Sequence, residues 1–148
     1  MKLTLDWNHS VKLGKFPYTV DLEDIPKTSG IYIFLRMYGE TAEALYIGKA
    51  TNLRGRIKQQ LNNFRLLTAI KEASNGQRRL VFGEFVPKPG QKTAAALLLC
   101  EKALIRYYLA QGHELVNIQG TKLRYHELDS TRPDLKKFIP LLTKMQIK

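Results

Sequence analysis

Two short apolar runs separated by a turn make the clearest pattern in the chain. Gly30 to Met37 and Ala44 to Gly48 are rich in Ile, Tyr and Phe. Such runs around a glycine-containing turn predict a β-hairpin. Side chains alternate between the two faces of a strand, and Tyr32 and Tyr46 are an even number of residues apart. A hairpin centred on Gly39 therefore places both phenols opposite each other on one face.

Helical patterns follow the hairpin. Asn52 is a good N-cap residue, and apolar positions behind it repeat at helical spacing. These positions are Leu53, Ile57, Leu61 and Phe64. Arg56 and Gln60 lie four residues apart, which predicts that they share a polar face of this helix. A second helical pattern, residues 66–73, ends before Gly76.

A third strand and a long helix come next. Arg79 to Val86 is typical of a strand, and Pro87 stops it. Lys92 to Ala110 is rich in Ala and Leu and predicts the longest helix. On this helix Glu101 is the only charge on the stripe that should face the core. A buried carboxylate is costly without a cation, a metal ion or donors, so either a metal or a basic residue of the first helix is expected beside it.

The two ends of the chain give weaker patterns. Residues 1–28 are expected to form an N-terminal arm, in which Leu3 to Trp7 alternates like an edge strand. Residues 121–148 are predicted to be a helical extension, with a cap at Thr131 and Pro133 in the first turn. The whole chain, residues 1–148, is interpreted as one domain.

The charge lies mostly behind the hairpin. The chain carries 24 basic and 13 acidic residues, a net charge of +11. Residues 51–148 hold 18 of the basic and 7 of the acidic groups. This imbalance favours a polyanionic partner, most simply a nucleic acid, although a solvated helix surface or an anionic membrane is also compatible with it.

Composition also indicates the cellular compartment. The single Cys100 excludes an intrachain disulfide and a cysteine-based metal site. The longest apolar run, residues 94–100, is too short to span a bilayer. A cytoplasmic protein without a membrane partner is therefore expected. The three histidines, His9, His113 and His126, have no metal-ligand spacing and are interpreted as surface residues.

The hairpin and the first helix resemble the GIY-YIG nuclease family, which includes repair incision nucleases, homing endonucleases and restriction enzymes. The matching segments are Gly30-Ile31-Tyr32, Tyr46-Ile47-Gly48-Lys49 and Asn52-Leu53-Arg54-Gly55-Arg56. The resemblance covers about residues 29–119. It implies an α+β fold with a small three-stranded antiparallel sheet flanked by helices.

The resemblance also implies roles for single residues. Tyr32 and Tyr46 would surround the attacking water, Lys49 would favour a phenolate, and Arg56 would stabilise the transition state. Glu101 would be the only protein ligand of a Mg²⁺ or Mn²⁺ ion, and Asn117 would be a positioning residue. Many members carry a tyrosine or histidine one turn after the arginine, where this chain has Gln60. Glutamine cannot act as a base, although it can orient water.

The sequence therefore favours a metal-dependent DNA endonuclease with a possible role in DNA repair. The basic residues expected to contact DNA are Arg54, Lys58, Arg65, Arg78 and Arg79. The alternative is a nucleic-acid-binding module on the same fold with weak or lost catalysis. A further protein partner could supply specificity, since the chain has little room for a second domain.

Overall fold

The computed structural model describes residues 1–116, 124–129, 134 and 142–147. In chain order the strands are β1 (Thr4–Trp7), β2 (Val11–Lys12), β3 (Gly30–Tyr38), β4 (Thr41–Ala50), β5 (Gln77–Val86), β6 (Arg124–Asp129) and β7 (Leu142–Ile147). The helices are α1 (Leu53–Gln60), α2 (Phe64–Glu72) and α3 (Thr93–Ala110), and a 3₁₀ turn covers Leu22–Asp24.

The predicted α+β class is confirmed, but the sheet is larger than expected. Its strand order is β1-β5-β3-β4, and β2 also pairs with β5, so the described sheet has five strands where three were predicted. All of its pairings are antiparallel. The expected edge strand near Leu3 to Trp7 is β1, and β2 is too short to leave a periodic pattern in the sequence.

Among the described strands, β4 pairs with β3 alone and lies at the edge of the described sheet. Two apolar cores lie on the two faces. One core packs Tyr32, Phe34 and Phe82 of the sheet against Leu53 and Ile57 of α1, with the buried side chains of α2 behind them. The other core packs the opposite face against α3 and contains Ile31, Ile33, Ile47, Leu97 and Cys100.

The predicted cap of the first helix is confirmed, and the second helix has an asparagine cap that was not predicted. The side chain of Asn52 accepts a hydrogen bond from the Gly55 N–H at 3.0 Å and caps α1. Asn63 caps α2 in the same way, by accepting from the Leu66 N–H at 3.2 Å. Both helices are short, so their start positions depend strongly on these caps.

The C-terminal extension was predicted to be helical, but residues 124–129 and 142–147 form strands instead. Strands β6 and β7 pair antiparallel with Arg124 opposite Ile147 and Asp129 opposite Leu142. The predicted cap at Thr131 lies outside the described residues. None of the helices in the described part of the chain combines the length and apolar character needed to cross a membrane.

Candidate active site

The first tyrosine of the site lies across the sheet from a glycine. Tyr32 pairs with Gly48 on β4 and with Phe82 on β5, and its side chain is fully buried. A Cβ atom built on Gly48 would overlap the ring of Tyr32 and its hydroxyl group. Only a residue without a side chain can therefore stand opposite Tyr32, which is a packing reason for the glycine after Tyr46-Ile47.

A bulge in β4 puts the two tyrosines on one face. Beside the turn, Leu35 pairs with Ala44; beyond the register shift, Phe34 pairs with Tyr46, so Leu45 is an extra residue. Without it, Tyr32 would stand opposite position 47, and Tyr46 would point to the other face of the sheet.

The predicted pairing of the two phenols is therefore only half right. Tyr32 and Tyr46 share a face as expected, but they are diagonal neighbours, because the partner of Tyr32 is Gly48. Their rings lie nearly parallel, with centroids 6.0 Å apart and an interplanar angle of 21°.

Gln60 joins the two phenols. Its Nε2 atom donates to the Tyr32 hydroxyl at 2.7 Å and to the Tyr46 hydroxyl at 3.2 Å. Asn63 donates to Gln60 Oε1 at 3.4 Å. Gln60 is 6% exposed, so the prediction that it lies on a polar surface of α1 is wrong. The signal for its burial was present, since Gln60 lies three residues after Ile57, on the same helical stripe.

Burial keeps Tyr32 protonated. Desolvation is the main reason that the pKa of Tyr32 is raised to about 12, and the nearby Tyr46 acts in the same direction. The hydrogen bond from Gln60 and the nearby positive charge of Arg56 lower this pKa but do not cancel the effect of burial. At neutral pH this phenol is therefore a hydrogen-bond donor rather than a base.

A cleft opens where β4 ends and α1 begins. Its volume is about 400 Å³, and it brings together the basic side chains of Lys49 and Arg56. The other residues that line it are Ala50, Thr51, Asn52, Gly55 and Gln59. Arg56 is exposed and donates to Gln59 at 3.4 Å, which leaves most of its guanidinium open to a ligand.

Glu101 is paired with Lys49. The Lys49 Nζ and Glu101 Oε1 atoms are 3.6 Å apart, and the two side chains are 43% and 18% exposed. A partner on the first helix was the expected alternative to a metal, and the actual partner is on β4. The predicted burial is also only partial: Leu97, four residues before Glu101 on the helix, is buried, but Leu98, three residues before it, is 40% exposed. Glu101 thus lies at the border of the apolar stripe of α3.

Lys49 lies at the border between the face of the sheet beside α3 and the cleft beside α1. It pairs with Ile31, whose side chain belongs to the core beside α3, whereas Tyr32 and Tyr46 face α1. The contact that the structure shows for Lys49 is the ion pair with Glu101, and its predicted effect on a phenol stays a prediction. Because β4 is an edge strand, Lys49 also lines the cleft that holds Arg56.

The donor set is compatible with a weakly held divalent ion. Among the described residues, no three His, Cys, Asp or Glu side chains are grouped as metal ligands, so Glu101 would offer one carboxylate. Mg²⁺ is commonly bound by one or two carboxylates, several waters and a substrate phosphate. Glu101, which is partly exposed at the sheet edge, fits this mode of binding.

The residues predicted to contact DNA fall into two groups. Lys58 and Arg65 are exposed. The other three are partly buried. Arg54 donates to the Ile25 carbonyl at 2.7 Å, and Arg79 donates to Ser10 Oγ at 2.9 Å. Arg78 donates to the carbonyl oxygens of Ile70, Ala73 and Gly76 at the end of α2.

Two contributors to the site were missed in the sequence. Leu45 creates the bulge, and no propensity signal marks it. His113 was interpreted as a surface residue, but it is partly buried, and its Nδ1 atom accepts a hydrogen bond from the Ala44 N–H at 2.8 Å. Asn117, the predicted positioning residue, lies outside the described residues.

Comparisons with protein-family models, curated proteins and solved structures find no match to this chain. The geometry of the site and the sequence motifs are thus the grounds for a function.

Proposed function

We propose that this protein is a metal-dependent DNA endonuclease that hydrolyses phosphodiester bonds with a single divalent ion. The observation that carries the proposal is the cleft between β4 and α1. It combines two cations, Lys49 and Arg56, in one opening, next to the hydrogen-bonded group of Tyr32, Gln60 and Tyr46. The resemblance of these residues to the GIY-YIG pattern supports the same assignment.

Arg56 is assigned to the phosphate. A guanidinium donates two parallel hydrogen bonds to phosphoryl oxygens and stabilises negative charge as it develops there. Arg56 is exposed and lines the cleft, and its charge is near enough to lower the pKa of Tyr32. Arg56 therefore both lines the cleft and lies close to the buried phenol of Tyr32.

The phenols are assigned as donors. Gln60 Nε2 donates to both phenol oxygens, so each phenol can still donate its own proton. The raised pKa of Tyr32 keeps that proton in place at neutral pH. In this chain Tyr32 and Tyr46 would orient a phosphate oxygen or a water molecule rather than remove a proton from it.

Glu101 is the residue that would hold Mg²⁺ or Mn²⁺, and a bound ion would supply positive charge to the phosphoryl oxygens. Lys49, 3.6 Å from Glu101 and 43% exposed, can turn toward a phosphate when a cation occupies the carboxylate. The excess of basic residues after position 50 supports DNA as the substrate.

Cleavage of supercoiled plasmid and of branched DNA, with Mg²⁺ or with a chelator, tests the proposal. Arg56→Ala should lose most of the activity, on the order of a hundredfold or more. Its melting temperature should not change, because the side chain is exposed. Arg106→Ala is the matched control, since Arg106 is an exposed arginine on α3 outside the cleft.

Two results would contradict the proposal. Wild-type protein that leaves both substrates intact with Mg²⁺ and with Mn²⁺ would not be an endonuclease of this kind. Equal activity of Arg56→Ala and Arg106→Ala would place the reaction elsewhere.

One observation favours the second candidate, a nucleic-acid-binding module with weak catalysis. Gln60 is bonded to both phenols and cannot accept a proton from water in the way that a histidine can. If this candidate is right, wild-type protein binds DNA with a steep dependence on salt but does not cut it. Gln60→His, which introduces a proton acceptor, should then raise cleavage above the wild-type level.

A further inference from the structure

The bulge in β4 is fixed from outside the sheet. The Ala44 N–H donates to His113 Nδ1 at 2.8 Å, and the Val116 N–H donates to the Leu45 carbonyl at 2.7 Å. Both bonds join the bulge to the short segment that follows α3. We name this segment, residues 113–116, the latch.

We propose that His113 is a positioning residue for the candidate site, because it holds the bulge that places Tyr46 on the same face as Tyr32. The inference that His113 holds the bulge in place is independent of the proposed function. Only its consequence for catalysis rests on that function. His113 touches neither phenol in the contacts that the structure describes, and it acts through the backbone of Ala44 and Leu45.

The Ala44 N–H needs such a partner. Among the strands that the structure describes, β4 pairs with β3 alone, so no second described strand offers an acceptor to Ala44. Ala44 is buried, at 3% exposure, so water does not readily replace a missing acceptor for its N–H. Loss of the His113 acceptor favours a regular pairing of β3 with β4, in which Tyr46 changes face.

The position of His113 is set by the end of α3. Gly112 has a φ of +88°, which turns the chain back toward β4. The His113 N–H donates to the Tyr108 carbonyl at 3.0 Å, and the two rings lie 5.1 Å apart. The ring is thus held with Nδ1 directed at Ala44.

The bond requires neutral histidine, because a protonated Nδ1 cannot accept a hydrogen bond. Three titratable side chains lie on the segments around the ring: Tyr108, Glu43 and Glu114. Burial, partly against Tyr108 of α3, lowers the pKa of His113, and Glu43 of β4 opposes that change by favouring the cation. Glu114, next in the chain, is exposed. Because the pKa of His113 is lowered on balance, the bond from Ala44 to His113 forms at neutral pH and is lost on acidification.

Three variants separate positioning from general stability. His113→Ala removes the acceptor, and His113→Asn restores one, because Asn Oδ1 occupies about the place of His Nδ1. His9→Ala is the control, since His9 is an exposed histidine far along the chain from the bulge. The readouts are amide hydrogen exchange at Ala44, NMR contacts between the rings of Tyr32 and Tyr46, and DNA cleavage.

The variants should differ in all three readouts. His113→Ala loses the protection of Ala44 and the contacts between the two rings, and its cleavage falls by about tenfold or more. His113→Asn keeps all three properties. When wild-type protein is acidified through the pKa of His113, the protection of Ala44 is lost, whereas the asparagine variant does not respond.

The proposal is overturned if His113→Ala keeps the Ala44 protection and the Tyr32–Tyr46 contacts, even if its melting temperature falls. If His113→Ala does not fold, the asparagine variant and the acidification of wild-type protein decide the question. If wild-type protein does not cleave DNA, the proposed function fails, but exchange and ring contacts still give a result for His113.

Discussion

Replacing Gln60 by methionine should destabilise the protein through Tyr32. Methionine has nearly the size of glutamine but donates no hydrogen bond. Tyr32 is fully buried and would lose the bond that Gln60 donates at 2.7 Å, whereas Tyr46 is partly exposed and can bond to water instead. An unsatisfied buried hydroxyl costs about 1–3 kcal/mol, so we expect a loss of this size in the free energy of unfolding.

A double-mutant cycle isolates the contribution of the bond. The four proteins are wild type, Gln60→Met, Tyr32→Phe and the double variant. Urea unfolding can be followed by the fluorescence of Trp7, which packs over Gly83 between β1 and β5. We expect the second substitution to cost less in the presence of the first, with a coupling energy of about 0.5–3 kcal/mol.

Additivity would refute the reasoning. If the two single losses sum to the double loss within about 0.5 kcal/mol, Gln60 and Tyr32 do not act as a bonded pair. A Gln60→Met protein as stable as wild type would show that the buried hydroxyl has another partner. In either case the assignment of the phenols as oriented donors would lose its structural basis.

Three further predictions concern stability. Gly48→Ala should cost about 1–3 kcal/mol in urea unfolding, because the new methyl group overlaps the Tyr32 ring, whereas Gly55→Ala, inside α1 with ordinary contacts, should stabilise by about 0.5–1 kcal/mol. Burial raises the pKa of Tyr32 from 10.0 to about 12, so the unfolded state loses this proton at a lower pH than the folded state. The free energy of unfolding should therefore fall by about 3 kcal/mol as pH rises from 10 to 12. A stability difference between wild type and Tyr32→Phe that does not change with pH would contradict this. Arg78→Ala should lower the melting temperature, because three carbonyls at the end of α2 lose their donor, while Lys58→Ala should leave it unchanged and weaken DNA binding.

The sequence predicted the elements that depend on local signals. The hairpin, the Asn52 N-cap and the long helix follow from periodicity, the turn glycine and an asparagine side chain, and all of them are present. Strand β2 was missed because two residues carry no period. Strands β6 and β7 were missed because the whole of residues 121–148 was interpreted as a helical extension on the strength of signals at Thr131 and Pro133, which lie between the two strands and outside the described residues.

The site was predicted in its composition but not in its connections. The bulge at Leu45 shifts the register by one residue, and such a shift depends on backbone partners far along the chain, here His113 and Val116. The same non-local packing explains why Glu101 meets Lys49 rather than a cation of α1. This pairing could not be derived from a helical wheel, whereas the burial of Gln60 could have been read from its place on the stripe of Ile57.

The central claim is that one carboxylate at the sheet edge holds the metal for DNA cleavage, and Glu101→Gln tests it most directly. The measurement is Mg²⁺-dependent nicking of supercoiled plasmid, with Glu72→Gln as the control, since Glu72 is an exposed glutamate on α2. Lys49 is 43% exposed, so loss of its ion pair should cost less than about 1 kcal/mol, and folding should persist. The account predicts that Glu101→Gln no longer nicks the plasmid and that Mg²⁺ no longer raises its melting temperature, while Glu72→Gln behaves as wild type. A Glu101→Gln protein that still cuts DNA at the wild-type rate would contradict it.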